Sequence, residues 1–316
     1  MYITDSTTRL ATYGASGYRA CPICRDARLE VEGIGLATAT RLALDNDKRY
    51  IVIATVISMS ERAELMISVG DALDKTVFIK VLDVTDDENI SYVVDNVINT
   101  HGRIDVLINN AGVIAVGIPE QIRREKIDNL FSVNVIGNMR LTQAVLPHMK
   151  ERRAGKIVSM SSGLGRQGRP YYDFYCSTKF AVEGFYESLA AGLRPYNIRV
   201  CLVEFGRVGT GLDDRVCASV DALLGDDEID DLDRKHLGHI QRSIRISKAT
   251  DAEKIAKEIQ DRCIDKEKPV LRHFLKDEQV RQTMIKDLSD TTGERSIAGN
   301  LERIGYSSSD ILMSLH

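Results

Sequence analysis

The sequence has little that would take it to nucleic acid or into a membrane. Its 316 residues carry 42 Lys+Arg against 46 Asp+Glu, a net charge of −4. No basic field invites a polyanion, so no nucleic-acid partner is expected. The longest apolar runs, such as Tyr50–Ile57, fall far short of the roughly 20 residues a membrane-crossing helix needs. The first thirty residues contain no apolar segment of the kind that forms a secretory signal. A cytoplasmic location is expected, and a peripheral membrane contact is compatible with it. Cysteine is also sparse. Of the six, only Cys21-Pro-Ile-Cys24 has metal-ligand spacing, and a zinc site wants a second pair. His236 and His239 are the nearest substitute, some two hundred residues away. Reduced thiols and no metal are therefore expected.

What is present is an alternating pattern. The composition, 43% hydrophobic and 28% charged, is ordinary for a globular protein. From Gly33 onward apolar runs occur at Tyr50–Thr55, Val77–Leu82, Ile104–Ile108, Lys156–Met160, Ile198–Val203 and Pro269–Phe274. Helical spacing fills the gaps, at about 35–47, 59–70, 86–100, 120–133, 134–150, 173–194 and 250–265. Runs that are apolar on both faces, such as Val106-Leu107-Ile108, suit parallel strands covered by helices on each side. The pattern predicts an α/β fold: one doubly wound parallel sheet of Rossmann type over residues 33–275. Residues 1–32 form an atypical N-terminal segment without clear period, and 276–316 a polar tail. Residues 206–245 make a long excursion after a strand, where open α/β sheets build their ligand crevice. Within it Leu212, Val216, Val220, Leu223 and Leu224 recur at spacings of three and four, predicting an amphipathic lid helix. The acids at 226–233 are expected on a solvated face.

Tyr175-Cys-Ser-Thr-Lys179 places a phenol and an ammonium on one helix face. A phenol near pKa 10 is a poor base at neutral pH. An ammonium about 4 Å away, at an effective dielectric of about 20, favours phenolate by some 4 kcal/mol before desolvation. Lys179 is thus expected to lower the Tyr175 pKa and prepare a general acid/base. Upstream stand Ser162, after the run Lys156–Met160; Asn134, in Asn134-Val-Ile-Gly; and Asn109-Asn-Ala-Gly112, after Ile104–Ile108.

That set, in that order, resembles the short-chain dehydrogenase/reductase family over about residues 33–275. Val133-Asn-Val-Ile-Gly137, Tyr175–Gly184 and Lys268-Pro-Val-Leu-Arg-His-Phe274 are similar to the branch of estradiol-type hydroxysteroid and photoreceptor retinol dehydrogenases. The resemblance implies hydride transfer between a nicotinamide cofactor and an alcohol or carbonyl on a lipophilic molecule, steroid- or retinoid-like. It implies Tyr175 as proton donor or acceptor, with Lys179 lowering its pKa and bonding the nicotinamide ribose. Ser162 then steadies the carbonyl oxygen, and Asn134 holds a water in a proton relay. Cofactor contacts are implied at Asn110, Ala111 and Gly112, at Asp83 and Val84, at Gly206, Val208 and Thr210, and at the helix start Gly33-Ile34-Gly35. Family members often dimerise through the helices at 120–150 and 173–194, so a homodimer is expected.

The phosphate loop departs from the family's pattern. Aligning Gly33-Ile-Gly35 puts Arg28 and Leu29 where Thr and Gly belong. Thr12–Gly17 resembles the loop locally but follows no apolar run, and reads as a decoy. Met1-Tyr-Ile-Thr-Asp5 fits the end of the first strand better, which makes residues 5–32 an insertion within the loop. Gly33 and Gly35 permit a tight helix start that attracts anions, whereas Glu30 and Glu32 would repel a pyrophosphate. The second run ends Ala54-Thr-Val-Ile-Ser58 without the acid that an NAD site usually places there. NADP is favoured on that ground, NAD stays open, and Ile57 stands where the related branch often has Arg. Two outcomes follow: an NADP(H)-dependent oxidoreductase, or a catalytically inactive Rossmann-fold binding protein whose cofactor loop is disrupted.

Overall fold

The computed structural model describes residues 8–13, 33–209, 211–246, 249–275 and 278–307, with backbone only at 8–13, 211–213 and 278–279. Seven strands run β1 (Thr8–Tyr13), β2 (Tyr50–Val56), β3 (Val77–Val81), β4 (Val106–Asn109), β5 (Gly155–Met160), β6 (Ile198–Phe205) and β7 (Arg272–Leu275). All pair in parallel, in the order β3-β2-β1-β4-β5-β6-β7. The chain winds outward to β3, then returns to the middle and winds the other way from β4 to β7. The reversal opens a crevice beyond the carboxyl ends of β1 and β4.

Helices α1 (Ile34–Ala43), α2 (Ala63–Val69) and α9 (Ala252–Ile259) cover one face. Helices α3 (Asp87–His101), α4 (Arg124–Phe131), α5 (Asn138–Arg152) and α6 (Asp173–Leu193) cover the other. The strands supply both cores because successive side chains point to opposite faces. Val106, Ile108, Val158, Cys201 and Val203 join the first layer, while Leu107, Ile157, Val200 and Leu202 join the second. Helix α3 shows how local sequence sets an element's limits. Asp86 caps it by accepting from the Glu88 and Asn89 amides, each at 3.0 Å, and Gly102 ends it at φ 80°, in the left-handed region glycine adopts freely.

The expected runs from Tyr50 onward all occur as strands. The N-terminus does not follow expectation. The first strand is Thr8–Tyr13, in register with β2 (Thr8 opposite Tyr50) and β4 (Leu10 opposite Val106), so the place assigned to Met1–Asp5 is taken; of the segment Thr12–Gly17, Thr12 and Tyr13 end this strand and residues 14–17 lie outside the described residues. Pairing on both edges holds a strand that its own polar residues would not announce. Residues 1–5 and 14–32, with Arg28–Glu32 and the Cys21–Cys24 pair, lie outside the described residues. Helices expected at 120–133 and 134–150 are joined by one wide, π-type turn at Ser132–Gly137. The excursion holds two helices, α7 (Gly211–Leu224) and α8 (Asp231–Ile246), and the tail two more, α10 (Glu278–Leu288) and α11 (Glu294–Arg303).

Candidate active site

Strand β4 ends at Asn109 on the crevice, and the small residues Asn110-Ala-Gly112 follow it. Asn134 fastens this segment from behind. Its Oδ1 accepts from the Val113 amide at 2.7 Å, and its Nδ2 donates to the Val113 carbonyl at 2.8 Å and to Thr178 Oγ1 at 3.1 Å. The carboxamide is fully buried and committed to protein groups, so its side chain is a clamp rather than a free water ligand. Asn134 sits in the π-type turn, a distortion common at functional sites. Gly137 permits that turn to come close to the end of β3, since a β-carbon there would lie 2.6 Å from the Val84 carbonyl oxygen. Behind the clamp, Asn109 Nδ2 donates to Thr142 Oγ1 and Tyr186 Oη at 3.0 and 2.8 Å.

Strand β5 delivers Ser162, whose Oγ accepts from the Leu164 amide at 3.1 Å and also hydrogen-bonds the Tyr175 phenol. Helix α6 supplies Tyr175, Thr178 and Lys179, all buried. Lys179 Nζ donates to the Met160 carbonyl at the end of β5, at 2.9 Å, and lies 5.7 Å from the centre of the Tyr175 ring. One turn further, Glu183 favours the charged amine, but burial prevails and brings the Lys179 pKa down to about 8. Burial likewise pushes the Tyr175 phenol well above its ordinary value, against a smaller lowering by Ser162. That corrects the expected ammonium-driven fall: desolvation of a buried group opposes its charged form on both partners, and the lysine's proton is directed at a backbone carbonyl.

The remaining expected contacts lie around the rim. Asp83 follows β3, and its Oδ1 accepts from the Thr85 amide and hydroxyl at 2.9 and 2.6 Å; Val84 is buried beside it. Gly33 takes φ 84° and ψ −147° immediately before α1, a conformation that strains any residue with a β-carbon. Ile34 is buried and Gly35 half-buried, and the first turn of α1 holds no acid. Gly206 is half-buried and Val208 buried, bridging to Thr250; Thr210 lies outside the described residues. Glu204, near the end of β6, is buried and reaches Arg166 and Arg272, each at 3.3 Å.

Two features were missed in the sequence. Glu61 folds back onto the end of β2, where it bonds the Ile57 backbone and the Ser58 side chain, and burial raises its pKa. An acid does therefore stand near that strand end, three residues later than the pattern sought. The second is a cluster just upstream of Tyr175. Tyr171, strained at φ 66°, donates to Asp233 Oδ1 at 2.7 Å and lies 2.9 Å from His236 Nδ1. Burial lowers the His236 pKa, so the ring is neutral at pH 7. Its Nε2 is buried with no hydrogen-bond partner among the described residues. Val216 and Val220 of α7 and Leu237 and Ile240 of α8 pack in the same core as Tyr171, Tyr172 and Tyr175. The side chain of Leu212 is not among those described. Of the acids at 226–233, Asp226, Asp227, Glu228, Asp230 and Asp231 are exposed, whereas Asp233 is half-buried and turned to Tyr171.

This geometry coincides with likeness to known proteins. The model of the short chain dehydrogenases matches residues 30–220. Retinol dehydrogenase 8 of Homo sapiens is 43% identical over 188 residues, 60% of this chain and 60% of that protein. The match thus spans about three fifths of that relative's length. The 17-beta-hydroxysteroid dehydrogenase type 1 of Homo sapiens is 33% identical over 246 residues, 77% of this chain and 74% of the relative. A crystal structure of a short-chain dehydrogenase from Streptomyces avermitilis superposes with a TM-score of 0.72 at 28% identity, covering 96% of this chain and all of the other. Fold, site and family match agree: the chain belongs to the short-chain dehydrogenase family.

Proposed function

We propose that the protein is an oxidoreductase that moves a hydride between NADP(H) and an alcohol or carbonyl on a lipophilic, steroid- or retinoid-like substrate. The observation that carries this reading is the buried Tyr175 phenol bonded to Ser162, with Lys179 one helical turn away. A nicotinamide fits the corner beside them. A β-carbon on Gly112 would lie 3.5 Å from Asn134 Oδ1 and 3.9 Å from Lys179 Nζ, so glycine keeps that corner open. Asn110, Ala111 and Gly112 would line the cofactor, with Gly206 and Val208 across from them, Lys179 toward the ribose, and Asp83 and Val84 toward the adenine. The start of α1 at Gly33-Ile34-Gly35 would face the phosphates. When bound, the cofactor supplies or accepts the hydride.

The protein's own groups handle the proton. Burial keeps Tyr175 a neutral phenol at pH 7, the form that donates. It gives its proton to the substrate oxygen as that oxygen gains charge, while the Ser162 hydroxyl donates to the same oxygen. Lys179, with a pKa near 8, remains largely charged at pH 7 and stabilises the resulting phenolate. Asn134 acts through position, by holding the Val113 backbone and Thr178.

The apolar cover from α7 and α8 suits a lipophilic substrate, and the orphan His236 Nε2 offers an acceptor to a substrate hydroxyl. The relatives' names point the same way. The lack of an acid within Ala54–Ser58 favours NADP(H), while Glu61 nearby works against it. Ile136 and Phe180, exposed beside α5 and on α6, suit a homodimer through those helices. No helix among the described residues is long and apolar enough to cross a membrane, which suits a cytoplasmic enzyme or one lying on a membrane surface.

Nicotinamide fluorescence during NADPH titration tests the reading. Saturable binding and NADPH-dependent reduction of a steroid ketone or retinal are expected. Tyr175→Phe should lose turnover by about 10³-fold, within the range of general acid catalysis, with NADPH affinity unchanged. No binding at high micromolar NADPH would leave the chain an inactive Rossmann-fold binding protein.

A further inference from the structure

On the sheet face opposite α6, three buried side chains from distant parts of the chain converge. Cys201 comes from β6 and His273 from β7. Cys263 comes from a second π-type turn, Gln260–Ile264, which ends α9. Their two sulfurs and one ring nitrogen all lie within 4.8 Å of one another, and none of the three residues is more than 5% exposed. We infer that Cys201, Cys263 and His273 form a binding site for a soft monovalent d10 cation of the Cu(I) class.

The donor set comes first. Two sulfurs and an imidazole select soft or borderline metals over Mg²⁺ or Ca²⁺. His273 Nε2 lies 3.0 Å from the Val270 carbonyl. A proton on Nε2 directed at that carbonyl leaves Nδ1 as the ligating nitrogen, the outer contact that ordinarily orients a metal-bound imidazole. The thiolate is the ligating form, so binding releases the thiol protons to solvent. Nothing in the proposed hydride transfer uses it, since Tyr175 and Lys179 work from the opposite layer.

Ligand number and charge then choose among soft metals. Among the described residues no fourth His, Cys, Asp or Glu joins the group, whereas structural zinc sites close with four ligands. Cu(I) is content with three. Two thiolates and one monovalent cation sum to −1, which Lys156 offsets. That ammonium is tethered to the carbonyls of Ile264 and Lys266, at the end of the turn that carries Cys263. The other charges nearby are already paired: Asp265 with Arg49 and Tyr50, and Arg262 with Glu258. A divalent ion would leave an uncompensated positive charge among Val158, Val203, Ile255 and Ile259, at high cost in an apolar setting.

The test uses the full chain carrying Cys21→Ser and Cys24→Ser, because that pair is a rival thiol site. Anaerobic Cu(I) titration against bicinchoninate should show one tightly held ion per chain and a raised Tm. Adding Cys201→Ala or Cys263→Ala should weaken binding at least about 100-fold, which is roughly 2.7 kcal/mol. Should those variants not fold, copper-edge absorption of the loaded Cys21→Ser/Cys24→Ser protein decides instead, with two sulfurs and one nitrogen expected. Cu(I) binding that vanishes with Cys21 and Cys24, an oxygen-rich shell, or Zn²⁺ held more tightly than Cu(I) would each overturn the assignment.

Discussion

The two layers over the sheet each bury a polar cluster beside a π-type turn, and the two clusters are built differently. On the α6 side, Tyr175 and Lys179 share one helix, Ser162 follows one strand, and Asn134 clamps the loop after another. Their side chains bond protein groups: Asn134 the Val113 backbone, Ser162 the Leu164 amide and Lys179 the Met160 carbonyl. On the α9 side, Cys201, Cys263 and His273 mainly face each other, and the nearest backbone bonds belong to Lys156 and the far nitrogen of His273. The first cluster is rigid before any ligand arrives, as preorganised catalysis requires. The second is a set of donors brought together by the pairing of β6 with β7 and by the turn that ends α9, the arrangement an ion can complete.

Changes that strike one layer and spare the other sharpen this contrast. The largest effect is expected from Gly137→Ala. Its new β-carbon would meet the Val84 carbonyl at 2.6 Å and the Val84 side chain at 2.8 Å. A loss of about 1–3 kcal/mol is expected for such overpacking, read by urea unfolding, together with lost turnover as Asn134 shifts. Cu(I) affinity should hold. Gly192→Ala, exposed on α6 with nothing within 4 Å, is the control and should stabilise slightly. Equal losses in both variants would mean that the close approach at Val84 is not what matters.

A smaller effect concerns pH. Burial lowers Lys179 from 10.5 to about 8. Between pH 8 and 10 the unfolded chain keeps this proton and the folded chain releases it, so folded stability rises with pH across that window. Tyr175, raised by burial, opposes the rise only above its ordinary value of about 10. Chemical denaturation at pH 8 and pH 10 should show the rise in the native protein and a flatter profile in Lys179→Met. An unchanged profile would remove Lys179 as its source.

The smallest effect is expected at the end of β2. Glu61→Gln removes a carboxylate near the place where the cofactor's adenosine ribose is expected. It should raise NADPH affinity relative to NADH by a few-fold, under about 1 kcal/mol. Parallel fluorescence titrations with both cofactors measure the ratio. A shift toward NADH would put Glu61 outside the ribose site.

How much could be read without coordinates follows the same division. Tyr175 and Lys179 are four residues apart on one helix, and strands such as Lys156–Met160 are continuous apolar runs, so local periodicity finds them. The Cys201–Cys263–His273 group depends on β7 pairing with β6 and on where α9 ends, both non-local facts. Glu61 escaped notice because a short turn after Ser58 carries it back to the strand end. The direction of the Tyr175 shift was misjudged because spacing reports the ammonium's proximity and says nothing of desolvation. The first strand was misplaced for a related reason. Thr8-Arg-Leu-Ala-Thr-Tyr13 is too polar to advertise a central strand, and its place is set by neighbours about forty and a hundred residues downstream.

That central position has a consequence for where the chain can be cut. The family model's match starts at residue 30, yet the piece of backbone joining the two halves of the sheet lies earlier, at 8–13. A fragment cut at the border of resemblance would keep Tyr175, Ser162 and Lys179 while exposing the facing edges of β2 and β4, bare hydrogen-bonding rows that invite stray pairing. The start of that match and the start of the sheet are different places on the chain.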